Sequence, residues 1–325
     1  MGYDHESPAG VERRIYYLIR NGLHAHCWTR WPRRKSSARA QGNEIDGLRT
    51  GRCTRVAPSS VRAGRIVMAA IEVTLCALLG VVVGSFLNVV IYRVPRHLSV
   101  VTPRSSCPNC AAPISGRDNV PLVSWLVLRG HCRHCHCPIP FRYPLVEIVS
   151  AGLFAGAALR LGFHWDLPAF LVLLSSLVAL AWIDYDYLIL PTVIIYPTFA
   201  AVGALLTAAA LLEHDWHRLL VAGLCAAGWF LIFFLINALN PRWLGFGDVR
   251  LAPVLGLGLG WLGVRVVILG FFSANVVGAL IGITLIATKK IERSQPIPYG
   301  VFLALGTVAA VFAGPMLLAL FAHLA

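Results

Sequence analysis

The sequence predicts an all-α polytopic membrane protein of about eight transmembrane helices, with a small polar, cysteine-rich insertion between the first and second. Three observations carry this. Of the 325 residues, 57% are hydrophobic. Only 13% are Asp, Glu, Lys or Arg, about half the share usual in a soluble domain. From Met68 onward, apolar runs long enough to cross a hydrocarbon core of roughly 30 Å recur between short polar breaks.

Residues 1–65 hold 13 Lys and Arg against 5 Asp and Glu, a net +8 of the chain's +13. Rich in Arg, Ser, Ala and Gly and without apolar periodicity, residues 1–66 read as a disordered basic tail. The other reading is a start codon placed too early, with Met68 or a residue just before it as the true beginning. The tail lacks the apolar stretch and small-residue cleavage site of a secretory signal. A nucleic-acid-binding arm is the alternative meaning of the charge. The remaining 260 residues carry only +5, however, and no nucleic-acid partner is expected.

The first span runs from about Met68 to Tyr92, and a polar segment follows from Arg93 to about Tyr143. Seven further spans are expected at 145–162, 168–183, 191–212, 218–238, 249–263, 264–288 and 298–322. The break at Gly263 follows a short Gly-rich stretch, LAPVLGLGLGWLG, of the kind found in a helix packed deep within a bundle. Three parts result: 1–66; 67–144, with the first span and the cysteine segment; and the seven-helix part 145–325.

Loop charges orient the bundle. Arg93, Arg96, Arg104, Arg117, Arg129, Arg133 and Arg142 share a side with Arg242, Arg250, Lys289, Lys290 and Arg293, against Arg160, Arg218 and Arg265 on the other. Twelve against three makes the cysteine segment cytoplasmic and turns the C-terminus outward. The basic residues of the tail would then lie outside, against the rule.

Of nine Cys, Cys76 and Cys225 lie in apolar spans, Cys27 and Cys53 in the tail, and five in the polar segment. There, C-x2-C, 21 residues and C-x2-C (Cys107, Cys110, Cys132, Cys135) approach the knuckle spacing of a structural zinc site. Cytoplasmic thiols stay reduced and available to metal, whereas two disulfides or free thiols are the other reading. Cys137, His131, His134 and His136 could each replace one ligand. Such a site would fix a segment too poor in apolar residues to fold alone.

Within or at the ends of the later spans, only Glu147, Asp184, Asp186 and Asp248 are acidic. An intramembrane carboxylate is costly, and so is a functional candidate. Asp184 ends one span in A-W-I-D-Y-D-Y-L-I-L-P, and Asp248 opens another in G-F-G-D-V-R-L, both at the cytoplasmic side. Two carboxylates that share one proton are the machinery of aspartyl proteolysis. One takes a proton from the attacking water while the other polarises the peptide carbonyl. Gly245 and Gly247 would let substrate backbone approach Asp248. Helix capping is the bland reading of Asp248, but explains Asp184, at a helix C-terminus, poorly.

The chain resembles the type IV prepilin peptidases from about Gly80 onward. The motifs are G-S-F-L-N-V-V-I-Y-R-V-P (84–95), C-P-N-C (107–110), N-V-P-L-V-S-W-L-V-L-R-G-H-C-R-H-C (119–135), R-Y-P-L-V-E (142–147), the Asp184 segment, G-F-G-D (245–248) and P-Y-G-V-F-L-A (298–304). The resemblance implies that Asp184 and Asp248 are the catalytic pair. It also implies that the enzyme cuts a basic leader from prepilin or pseudopilin precursors in the cell (inner) membrane, and that the new N-terminus is methylated from S-adenosylmethionine. Methylation is linked by resemblance to the part containing the first span and cysteine segment, and Glu147, Asn88 and Arg93 are polar groups near that interface that could serve it. Helix-to-helix hydrogen bonding is the plainer role of Asn88, and flanking charge that of Arg93. The pattern places an acid where Thr192 stands, eight residues after Asp184, which leaves Asp186 as an alternative partner. Arg250 and Val301 also depart from it. Rival readings are a transporter that relays protons or cations through the aspartates, and a non-enzymatic pilus-assembly protein.

Overall fold

In the computed structural model, the residues described are 59–241, 244–288 and 297–324. The expectations for 1–58, including Cys27 and Cys53, lie outside them. The long helices are α1 (Ser59–Arg93), α3 (Arg142–Leu161), α4 (Leu167–Tyr187), α5 (Thr192–Glu213), α6 (Trp216–Leu239), α7 (Phe246–Leu262), α8 (Val264–Ala287) and α9 (Tyr299–Leu324). A one-turn helix, α2 (Val123–Val127), lies in the cysteine segment. Six of the long helices are long and apolar enough to cross a membrane, and Tyr299–Gly314 of α9 is a shorter apolar stretch. The protein is a polytopic membrane protein.

The observed ends fall within a few residues of those expected, with one exception. Helix α1 starts at Ser59, so 59–66, expected in the tail, are helical. Val61, Arg62, Ala63 and Arg65 are compatible with helix, and the apolar span supplies a nucleus from which it propagates. Gly263, at φ 122°, ends α7 and donates to Leu259 and Gly260. Helix α7 has 17 residues, which at 1.5 Å per residue reach only about 25 Å. Val249 through Trp261, apart from Arg250 and Pro253, are buried, as expected of a helix deep within the bundle.

Missing side chains make the tightest seams. A Cβ at Gly80 would lie 2.6 Å from the Ser150 carbonyl oxygen, and one at Gly84 2.7 Å from the Glu147 Cα, so α1 and α3 pack backbone to backbone. Gly256 and Gly260 do the same for α7 against Cys225, Ala226 and Ala222 of α6. Both pairs have the four-residue spacing that puts small residues on one helix face, the usual route to close packing where lipid removes the hydrophobic drive. Gly306 of α9 meets the Gly270 carbonyl of α8 in a third seam. These seams, with Leu173, Leu177, Leu206, Phe233 and Trp261 buried between them, hold the central core.

Gly256→Ala is expected to cost about 1–3 kcal/mol in thermal unfolding of the detergent-solubilised protein, because the obstructing atoms, the Cys225 oxygen at 2.7 Å and the Ala226 Cα at 2.8 Å, are backbone. Gly228→Ala, with nothing within 4 Å of the new carbon, is expected to leave the unfolding temperature unchanged.

Candidate active site and cysteine centre

Asp184 lies in the last turn of α4, which closes on Leu188 in the left-handed region as the Leu188 N–H donates to the Asp184 carbonyl at 2.9 Å. Its carboxylate, in a residue 5% exposed, accepts from the Val301 N–H at 3.3 Å, at the start of α9. A Cβ at Gly300 would lie 2.9 Å from that same Oδ2. Asp248, 7% exposed, lies in the first turn of α7 within electrostatic reach of Asp184. Leu190 joins the two: its side chain fills the space where a Cβ at Gly247 (2.9 Å) or at Gly300 (3.0 Å) would lie.

Helix capping accounts for only part of Asp248, which stands in the third position of α7 with the Gly245 backbone in hydrogen-bond reach. The N-cap of α7 is Gly245, with no side-chain cap hydrogen bond, and the buried Asp248 Oδ1 has no hydrogen-bond partner among the described residues. Such an atom calls for a proton, a water or a ligand. Gly247 serves differently from the expectation, since it makes room for Leu190 rather than for a substrate chain. Gly245 does border the carboxylate, its Cβ position lying 3.1 Å from Asp248 Oδ2.

Asp186 points elsewhere. It is exposed and pairs with Arg142, the first residue of α3, whose guanidinium also lies 4.9 Å from the Trp182 ring centre. The Leu190, Gly300 and Val301 contributions are ones that sequence reasoning missed. L-I-L-P and P-Y-G were visible, but nothing local showed that they meet.

The cysteine segment is built from one turn used twice, 25 residues apart. Isolated bridges join Ser106 to Pro113 and His131 to Pro138. Inside each, the first Cys N–H donates across the turn, Cys107 to Ala112 and Cys132 to Cys137, both at 2.9 Å. The residue after the second Cys, Ala111 or His136, takes φ of 57° or 56° and donates back to the first. The turns face each other, with Cys107 Sγ 3.8 Å from Cys135 Sγ. Tetrahedral zinc at about 2.3 Å from each thiolate separates its sulfurs by about 3.8 Å.

Cys107, Cys132, Cys135 and Cys137 offer sulfurs that all lie within 4.8 Å of one another, a group that could hold a metal ion. Cys110 was expected in that group. It stands at the exposed edge, beside Cys107, Cys132 and Cys135, while Cys137 takes the place that Ala112 has in the first turn and reaches inward. The Cys135 and Cys137 sulfurs stand 3.2 Å apart, in hydrogen-bond contact and closer than two ligands of one zinc. His131 bonds through Nδ1 to the Arg129 carbonyl at 2.7 Å and, like His134 and His136, is outside the group.

Arg133 braces the second turn with a forked bond to Asp118, through Nε at 3.1 and 3.0 Å and a terminal nitrogen at 2.6 Å. That guanidinium holds the Asp118 carboxyl down to about 2. The pair therefore persists above the ordinary carboxylate range and is lost only as pH falls through about 2. Asn88 makes the expected link between helices, donating to the Tyr143 carbonyl at 3.1 Å. Arg93 does more than flank the membrane, since it donates to the Ser99 and Pro103 carbonyls at 2.8 and 2.7 Å and pins the loop after α1. Glu147 accepts from the Leu122 N–H at 2.7 Å.

Two family models match the chain: the bacterial peptidase A24 N-terminal domain over residues 78–161, and the type IV leader peptidase family over residues 171–283. Among curated proteins, a prepilin leader peptidase/N-methyltransferase of Aeromonas hydrophila is 34% identical over 271 residues, 74% of this chain and 90% of the relative. One of Bacillus subtilis is 32% identical, over 76% of this chain and 96% of the relative, and one of Myxococcus xanthus 41%, over 68% and 67%. No solved structure matches the chain. The shared length, spread over both the cysteine segment and the aspartate helices, is that of family members, and the chain belongs to the type IV leader peptidase family of membrane peptidases.

Proposed function

We propose that this protein removes the basic leader from prepilin or pseudopilin precursors with Asp184 and Asp248 as an aspartyl dyad at the cytoplasmic face of the inner membrane. It then N-methylates the new N-terminal residue from S-adenosylmethionine. What supports the peptidase half is that two buried carboxylates, one with an unpartnered oxygen, stand on helix ends packed around the one side chain of Leu190. In this reading, one aspartate accepts a proton from water as it attacks the scissile carbonyl, and the other, protonated, donates to the carbonyl oxygen and then supports the leaving amine. Methylation is supported by the names of the relatives. The leader stays inside while the apolar pilin helix lies in the bilayer, which suits a site at the membrane edge. Residues 67–144, with the adjoining start of α3, serve methyl transfer, and the helices that follow serve proteolysis. Nothing in the family membership supports a transporter.

The repeat supports a structural zinc ion on Cys107, Cys110, Cys132 and Cys135, each turn giving its two equivalent thiolates, with Cys137 a fifth thiol alongside. Bound there, the ion supplies no chemistry to either reaction and fixes the segment.

Asp184→Asn and Asp248→Asn are each expected to lower leader removal at least about 1,000-fold in a gel assay with a pilin precursor, and Asp186→Asn by less than about tenfold. Full processing by Asp248→Asn would sink the dyad, and loss in Asp186→Asn with retention in Asp184→Asn would move it by two residues.

Elemental analysis of the purified protein is expected to give about one zinc per chain. Cys110→Ser should lose most of it and Cys137→Ser should keep it. A content near zero in the wild type rejects the centre, and the reverse pattern in the two variants exchanges the ligand.

A further inference from the structure

Where the cysteine segment folds back on the ends of α1 and α3, it encloses a cavity of about 320 Å³, within the range of small-molecule sites. Cys107 and Cys137 bring the two metal turns to one side of it, and Ser85, Asn88 and Glu147 come from the membrane helices on the other. Tyr92, Trp125 and Tyr143 add aromatic surface. The peptidase chemistry uses none of these groups.

Glu147 is the unusual member. It is a carboxylate 7% exposed in a membrane helix, with no basic side chain bonded to it among the described residues. One oxygen accepts from the Leu122 N–H, and Leu122 holds φ 58° and ψ −50°, a conformation that side chains other than glycine rarely adopt. Residues held in such conformations cluster at functional sites, and this one aims its N–H at a buried acid. A carboxylate beside aromatic rings in a half-dry cavity also suits an organic cation.

We propose that this cavity binds S-adenosylmethionine and that Glu147 takes the proton from the amine that is methylated. The inference rests on the N-methyltransferase reading above and gives it a site. A new N-terminal amine is mostly protonated near pH 7, its pKa being about 7.7–8.0. The ammonium gives one proton to the Glu147 carboxylate, which frees the nitrogen lone pair. That pair forms the C–N bond to the methyl carbon as the C–S bond breaks. The C–S electrons stay on sulfur, so the sulfonium becomes a neutral thioether and the product a methylammonium. Glu147 returns its proton to solvent.

The position fits the order of events. Arg142, five residues before Glu147 on α3, pairs with Asp186, two residues after Asp184. That pair ties the start of α3, which carries Glu147, to the end of α4, which carries Asp184.

The test uses the full chain in detergent with a pilin precursor, reading leader removal, equilibrium binding of radiolabelled S-adenosylmethionine, and product mass. Val120→Trp, which enlarges a 44%-exposed residue of the lining, is expected to weaken binding at least about tenfold and leave leader removal within about twofold. Glu147→Gln is expected to slow methylation about 100-fold at pH 7, with a residual rate that climbs as the amine deprotonates in solution, while Glu147→Asp recovers part of the loss. Undiminished binding in Val120→Trp, or wild-type methylation with an unchanged pH profile in Glu147→Gln, overturns the proposal. Should Glu147→Gln lose leader removal too, the variant has misfolded and the Val120→Trp binding result decides. A wild type that removes leaders but neither binds the donor nor methylates would reject the methyltransferase reading itself, and this site with it.

Discussion

Hydrocarbon offers no partner to a backbone N–H or carbonyl, so a chain crosses it as helix, and each crossing reverses its direction. That alternation decides where chemistry can be. The C-terminal ends of α1, α4, α6 and α8 and the N-terminal ends of α3, α5, α7 and α9 share one side. Asp184, Asp248, Glu147 and the cysteine segment all fall there, although they are far apart in sequence. The opposite side holds polar groups with a different task. Asp166 accepts from Trp261 Nε1 at 3.0 Å, and the Arg218 guanidinium lies 5.0 Å from the centre of the same indole, which ties the α3–α4 turn to α7 and α6. These are fastenings rather than a site.

Within that frame, small residues set the precision. The Gly80, Gly84, Gly256 and Gly260 seams fix α1 on α3 and α7 on α6 by backbone contact, which leaves little freedom of register. Registers held so closely let α4, α7 and α9 present Asp184, Asp248 and the Val301 N–H around the single side chain of Leu190. A bulkier residue at Gly247 or Gly300 would separate the elements that carry the two acids.

Hydropathy made the membrane helices legible because each crossing must be long and apolar, and glycine marked the α7–α8 break. The start of α1 escaped because Ser59 to Arg65 hold only Val61 and Ala63 among Ser, Arg and Gly, and their helicity is borrowed from the span that follows. Asp184 and Asp186 are neighbours in an identical Asp-Tyr context, so spacing alone favoured the first. The bundle separates them by burial and by the Arg142 pairing. Leu190 and Gly300 had no local signal, since their part exists only once three helices converge. The cysteine spacing was plain, yet the nearness of Cys137 depends on the left-handed His136, which no spacing rule reveals.

The duplicated turn has a consequence beyond its thiols. The two copies stand at either end of residues 114–130, so drawing their sulfurs together pulls that stretch shut like the cord of a purse. Leu122 and Trp125 lie inside the purse, and their positions are set by an event at its mouth. Closing such a loop costs chain entropy, which a metal bound by the sulfurs would offset. The wall that faces Glu147 is therefore assembled by the cysteines, at a distance, and the residues that form it need no core of their own.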